Sequence, residues 1–238
     1  MILKFLDTKN KDFCVVFSHF FVEKGQEYKF DIFEYVVDYY NNLDAYIIFS
    51  AHGEVDIPNN LSNKIDAIYW EKNIDRSEIG RGHPRFCIKA FDMARKKSFK
   101  NVLKMRAEDV LLNSEQYSFL LRSLNNKKMI ISEQTNLSNE KVGDLFMFGQ
   151  TEYIYSLWTA NQWNYSRDGL YNLYNNFSNL SASSVPIAYI KEKCLYLAPE
   201  DISWVTVTDA WDLKNKSVND LESCHWGKKK GYAYYGGF

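Results

Sequence analysis

Short apolar runs separated by helix-length stretches constrain this chain more than any other feature. They fall at 13–17 (Phe-Cys-Val-Val-Phe), 45–49 (Ala-Tyr-Ile-Ile-Phe), 67–70 (Ala-Ile-Tyr-Trp) and 101–105 (Asn-Val-Leu-Lys-Met). Runs of this length, bounded by polar residues, read as strands buried on both faces. After the first, Phe30, Phe33, Val36, Val37 and Tyr40 recur at helical spacing, and Asp31 near the start favours the positive helix end. Before the fourth, Phe86, Cys87, Ala90, Phe91 and Ala94 share a helical face, with Pro84 suited to the first helical position. Arg85, Lys89 and Arg95 fall largely off that face, and 58–60 (Pro-Asn-Asn) reads as a loop. The alternation predicts an α/β fold: a mainly parallel sheet flanked by helices, with a ligand beyond the carboxyl ends of its strands.

Further on, 120–124 reads as helix, 129–131 as strand, and 144–149 opens a segment leading into a helix over 153–158. Leu170, Leu173 and Phe177 show helical spacing, and 204–207 (Trp-Val-Thr-Val) reads as a strand. The 238 residues, 46% hydrophobic, supply the core of one domain spanning 1–238. Lys and Arg number 29 against 30 Asp and Glu, so there is no global field for nucleic acid and any anion must be held locally. Cys14, Cys87, Cys194 and Cys224 lie far apart without a C-x-x-C pair and read as buried thiols. The N-terminal apolar run is too short for a signal peptide, and no stretch approaches the about 18 to 20 apolar residues that span a bilayer, which places the chain in the cytoplasm. Neither a G-x-x-x-x-G-K-[ST] nor a G-x-G-x-x-G run occurs, so ATP hydrolysis and NAD redox chemistry lose their usual marks.

The fourth strand ends in a polar cluster, Arg106-Ala-Glu-Asp109, where such a sheet would hold its ligand. Glu108 and Asp109 supply hard oxygens for a divalent cation; a solvated turn is the plainer reading of the same pair. Arg85 suits a phosphate if it opens its helix, and is equally a surface arginine. Asp144 serves either as a general base or as a loop or capping residue, with Glu133 competing for the base role. The histidines His19, His52, His83 and His225 show no zinc spacing.

Four stations give the chain a family resemblance: Ile47-Ile-Phe-Ser50 with Ile65-Asp-Ala-Ile68; His83-Pro-Arg85 opening a helix; Val102-Leu-Lys-Met-Arg106 with the acidic pair; and Asp144-Leu-Phe-Met-Phe-Gly149. In these it resembles the WavE family of lipopolysaccharide-synthesis proteins, glycosyltransferase-like chains with a GT-A nucleotide-sugar fold. The resemblance implies a nucleotide-sugar half over 1–112, and an acceptor half with a C-terminal segment over 113–238. It implies a D-x-D metal station at 106–109, Mn or Mg held by Glu108, Asp109 and a returning His225, and donor contacts from Ser50, Arg85, Lys89 and Arg106. The sequence departs from D-x-D, since the window from Arg106 reads Arg-Ala-Glu and only the shifted pair carries carboxylates.

The expected function is transfer of a sugar from a nucleotide diphosphate to a surface glycan, in lipopolysaccharide, capsule or glycoprotein, with Asp144 or Glu133 as base. The contrasting reading is a catalytically silent glycan-binding or scaffolding domain on the same fold. A nucleotidyltransferase is set aside, because 18–25 carries one glycine and cradles phosphate poorly. Lys228-Lys-Lys230 leaves room for peripheral membrane contact or for a segment closing over diphosphate, and is too short a basic run to indicate nucleic acid.

Overall fold

A computed structural model describes residues 2–5, 11–18, 20–72, 79–111, 115–131, 146–159, 194–197 and 204–206. Its strands are β1 (Ile2–Phe5), β2 (Cys14–Phe17), β3 (Phe21–Val22), β4 (Tyr46–Gly53), β5 (Ala67–Lys72), β6 (Asn101–Met105), β7 (Asp109–Leu111), β8 (Met129–Ile131), β9 (Met147–Gln150), β10 (Cys194–Tyr196) and β11 (Trp204–Thr206). Its helices are α1 (Tyr28–Asn42), α2 (Asn59–Lys64), α3 (Ile79–Lys96), α4 (Gln116–Leu124) and α5 (Thr151–Thr159).

One mixed sheet runs β1-β5-β4-β2-β6-β9-β8-β10, with β3 beside β4; β7 and β11 form a separate antiparallel pair. Strands β5, β4, β2 and β6 are mutually parallel, β9 is antiparallel to both neighbours, and β10 runs parallel to β8. The chain builds outward from β2 through β4 to β5, then returns to place β6 on the other side of β2. That reversal is a topological switch point, and in open α/β sheets the ligand crevice lies there, beyond the carboxyl ends of strands such as β2 and β6.

Side chains alternate between two cores. Val15, Phe17, Ile47, Phe49, Leu103 and Met105 pack on the α1 side, while Cys14, Val16, Tyr46, Ile48 and Val102 pack on the α3 side. On the α1 side the aromatics form a continuous cluster: Phe33 meets Phe17 at 5.3 Å, Phe20 at 5.4 Å and Phe49 at 4.4 Å between ring centroids. Cys14, Cys87 and Cys194 are buried and unbridged, as their spacing suggested; Cys224 lies outside the described residues. No helix among the described residues is long and apolar enough to cross a membrane.

The α/β expectation of a mainly parallel sheet flanked by helices holds, while several boundaries differ. The 58–60 loop reading gives way to α2, whose Leu61 is buried beneath it as an anchor. Helix α3 starts at Ile79, not Pro84, so Arg85 sits near the end of its second turn rather than at its N-terminus. The first helical turns leave several amides without intrahelical acceptors, and a proline soon after them interrupts the ladder by only one bond. The 144–149 segment delivers β9, whose Gly149 passes β8 so closely that a Cβ would lie 2.4 Å from the Lys128 carbonyl oxygen. The helical spacing in 161–184 falls outside the described residues.

Candidate functional site

Polar residues interrupt the α3-side face of the sheet at its carboxyl edge. Phe17 pairs with Phe49 and with Met105, so the next residues stand abreast: Ser50 within β4, and Ser18 and Arg106 one residue past β2 and β6. Ser50 in turn pairs with Tyr69 of β5, and His52 with Glu71. By strand periodicity these side chains share the face that carries Val16 and Ile48. Their contacts agree. Ser18 Oγ lies 3.1 Å from Cys87 Sγ of α3, and His52 stacks on Phe86 at 4.7 Å and 7°. Ser18, Ser50, His52 and Lys104 are all buried, and Lys104 Nζ stands over the Trp158 ring at 5.8 Å. The Ser50 hydroxyl has no hydrogen-bond partner among the described residues. Buried polar groups normally find partners, so the Ser50 hydroxyl, on an otherwise apolar strand, marks a place where a ligand or water completes the bonding.

The loop after β6 follows directly from the carboxyl end of that strand at the switch point. Asp109 donates its amide to the Arg106 carbonyl at 3.1 Å, closing a turn that carries the chain off the main sheet into β7. Tyr40 of α1 locks that turn in place: its hydroxyl donates to Met105 Sδ at 2.9 Å and accepts the Leu111 amide at 3.2 Å, while Tyr39 donates to the Leu111 carbonyl. Burial, with the neighbouring Tyr39 and Asp109 charges, pushes the Tyr40 phenol well above its ordinary value, so it stays neutral.

The acidic pair divides between two environments. Asp109 is fully buried at the head of β7, within electrostatic reach of Tyr40. The Glu108 side chain is 31% exposed, and its Oε1 stands 3.7 Å from Arg106 Nη1. Desolvation raises the Glu108 carboxyl above its ordinary value, opposed by the charges of Arg106, Lys29 and Lys104. A divalent cation needs hard oxygens converging on one point with little positive charge nearby. Here the positive charges of Arg106, Lys29 and Lys104 all act on the Glu108 carboxylate. Among the described residues no group of three His, Cys, Asp or Glu side chains is placed to hold a metal. The 106–109 loop therefore fits an anion better than a metal clamp. His225 lies outside the described residues.

Arg85 and Lys89 belong to the rim next to β5. Arg85, 49% exposed, bonds Glu71 Oε2 through Nη2 at 2.6 Å and lies over the Phe86 ring at 5.1 Å. Tyr69 donates to the other oxygen of Glu71, and Lys89 Nζ stands over the Tyr69 ring at 5.0 Å. Of the sequence-expected residues, Ser50 lies within β4 and Arg106 just past β6, on either side of β2, with Glu108 two residues on, while Arg85 and Lys89 flank the edge from α3. Asp144 and Glu133 lie outside the described residues. Glu133 is nonetheless two positions past Ile131 and Asp144 three before Met147, and Ile131 pairs with Met147. Since β8 runs parallel to β6 and β9 antiparallel, those paired ends lie at the same edge of the sheet as the crevice.

Ser18, His52 and Glu71 did not stand out in the sequence. A usable sign was present, since the polar residues Ser50 and His52 alternate inside an eight-residue strand that is buried throughout.

The fold and site define an α/β protein with a cation-bearing polar crevice at the switch point of its sheet. No family model and no curated protein sequence matches the chain. Among solved structures it is similar to a protein described as a nucleotide-diphospho-sugar transferase from Desulfovibrio desulfuricans, at 11% identity and TM-score 0.47, over 94% of this chain and 91% of that one. It is also similar to a glycosyltransferase involved in glycosylation of the major capsid of PBCV-1, at 12% identity and TM-score 0.46, over 89% and 98%. A cytidylyltransferase from Leptospira borgpetersenii gives 10% identity and TM-score 0.46, over 92% and 94%. The strand order and directions, rather than these likenesses, define the fold.

Proposed function

We propose that this chain is a glycosyltransferase that moves a sugar from a nucleotide-diphosphate donor to a hydroxyl of a surface glycan, in lipopolysaccharide, capsule or glycoprotein. The observation that carries the reading is the row formed by Ser18 and Arg106, one residue past the carboxyl ends of β2 and β6, abreast of Ser50 within β4. Departure of a diphosphate builds negative charge, and a preoriented guanidinium stabilises it without reorganising at the moment of reaction. Buried hydroxyls beside it suit phosphate or ribose oxygens. Arg85 and Lys89 serve the donor from the rim, with Arg85 leaving Glu71 for phosphate. The paired ends of β8 and β9 support Asp144, and after it Glu133, as the carboxylate that takes the acceptor proton. We read the chain as one cytoplasmic domain, with the WavE-like stations supporting the surface-glycan acceptor and Lys228-Lys-Lys230 leaving room for peripheral membrane contact.

The test is a panel of nucleotide sugars offered to the full chain, with and without Mn²⁺, followed by unfolding midpoint and by free or transferred sugar. Binding to the folded state raises the midpoint, so one donor class is expected to do so and to be turned over. If no nucleotide sugar shifts the midpoint or is consumed, the reading is wrong. One observation favours a second reading: Arg106 and Arg85 are both already paired with carboxylates. On that reading the chain is a silent glycan-binding domain, and glycans raise the midpoint while no donor is consumed.

A further inference from the structure

We propose that the donor diphosphate is neutralised by the chain's own cations, with Arg106 exchanging Glu108 for phosphate oxygens, and that no divalent cation takes part in binding it. This inference deepens the donor reading above and rests on it. Arg106 stands at the switch point beside Ser18, with its guanidinium 3.7 Å from Glu108. The partner is a side chain on the same turn, which closes through the Asp109 amide and the Arg106 carbonyl. Glu108 can therefore swing away without disturbing the strands. Asp109, the other carboxylate, is fully buried at the head of β7 and is not available at the crevice surface.

Two further cations are built in from separate elements. Lys104 projects from β6 on the α3-side face, fully buried, two residues before Arg106. Lys29 lies in the first turn of α1, its Nζ bonded to the Phe21 carbonyl at 3.2 Å and to Gln26 Oε1 at 2.7 Å, which fixes it beside the end of β3. Phosphate oxygens match a guanidinium bidentately, so a diphosphate competes well with the Glu108 carboxylate, 3.7 Å from Arg106. Without donor, Glu108 keeps the arginine neutralised and oriented; with donor, it becomes a like charge beside the phosphate.

The consequence is a sign that a metal site would not give. Glu108→Gln removes the competing charge, so it should tighten binding, whereas removing a metal ligand should weaken it. The experiment is calorimetric titration of the full chain with UDP, GDP, CDP and ADP, and separately with inorganic pyrophosphate, each in EDTA and in Mn²⁺. A nucleoside diphosphate is expected to bind with the same Kd in both, within about twofold, and Glu108→Gln to lower that Kd by about 3- to 10-fold. Arg106→Ala should raise Kd by about tenfold or more, with Arg106→Lys in between, because a lysine cannot supply the bidentate contact. Tighter binding by Glu108→Gln cannot come from misfolding.

Binding that appears only with Mn²⁺, or that Glu108→Gln abolishes, overturns the inference and leaves the donor reading standing. Pyrophosphate binding in EDTA with no preference for any nucleoside diphosphate keeps the cation exchange and overturns the donor reading. No binding of either probe overturns both.

Discussion

Two serial helix ends show how single residues hold strained backbone. Asp44 and Ser98 adopt left-handed conformations, at φ 54° and 63°, just past α1 and α3. At each end the hydrogen bonds are those of a Schellman motif: Ala45 to the Tyr40 carbonyl and Asp44 to Asn41, then Phe99 to Ala94 and Ser98 to Arg95. A β-carbon makes that conformation costly, and glycine removes the cost while raising the entropy of the unfolded chain, which offsets part of the gain. Ser98→Gly is expected to stabilise the fold by about 0.5 to 1 kcal/mol, read as a raised denaturation midpoint. Asp66 makes the opposite case, a side chain that supplies a missing strand residue. Its Oδ2 accepts the Ile47 amide at 2.8 Å, one residue before β5 begins to pair with β4, and it holds Lys11 at 3.2 Å with side-chain exposures of 16% and 8%. Asp66→Ala leaves both donors short of a partner and is expected to cost about 3 kcal/mol in urea denaturation. The sequence placed Asp66 in a family-like station; the structure gives it a mechanical role. The Arg85–Glu71 pair is half exposed on its arginine side and adds little to stability for that reason.

At the scale of elements, α1 and α2 are joined by a small polar cluster over the hydrophobic one. Lys64 bonds Glu34 and Asp38 at 2.8 Å each, and Asn60 adds a bond to Glu34 at 2.7 Å. The Lys64 hydrogen bond holds the Glu34 carboxyl below its ordinary 4.5, with desolvation opposing. Desolvation lowers the Lys64 ammonium, but its bonds to Asp38 and Glu34 outweigh that and raise it above 10.5. The carboxylate's contribution is present above about pH 4.5 and lost as pH falls through its depressed folded value. The ammonium's is complete below about pH 10.5 and lost as pH rises through its raised one. Lys64→Met is therefore expected to lose stability across the middle range and to match the parent at low pH. The partners are partly exposed, so the loss is about 0.5 to 1 kcal/mol and shrinks with salt. A midpoint-versus-pH profile of the two proteins checks it. Element types were legible because buried runs and helical faces have different periods. The start of α3 and the existence of α2 were not, since Pro84 and 58–60 carry local signals that tertiary burial of Leu61 and the α3 face overrides.

Across the whole molecule, the site depends on residues brought together by sheet order. Ser18, Ser50 and Arg106 are separated by dozens of positions, yet they stand abreast because β2 pairs with both β4 and β6. Ser50 gives the sharpest test, because stability and binding should move in opposite directions. A buried hydroxyl without a partner costs free energy, so Ser50→Ala is expected to keep or raise stability, by up to about 1 kcal/mol. The same change should weaken donor binding about tenfold if the hydroxyl completes its bonding on the ligand. Equal or tighter donor binding in the variant would remove Ser50 from the site. By itself the sequence determined the α/β class, most strands and helices, and a polar cluster after the fourth apolar run, because these follow from local periodicity and composition. Only the tertiary structure decided that Asp109 is buried while Glu108 is partly exposed, that Arg85 is already paired, and that Ser18, His52 and Glu71 join the same edge. Strand pairing, burial and charge proximity link residues distant in the chain, and a local pattern carries no record of which distant residues those will be.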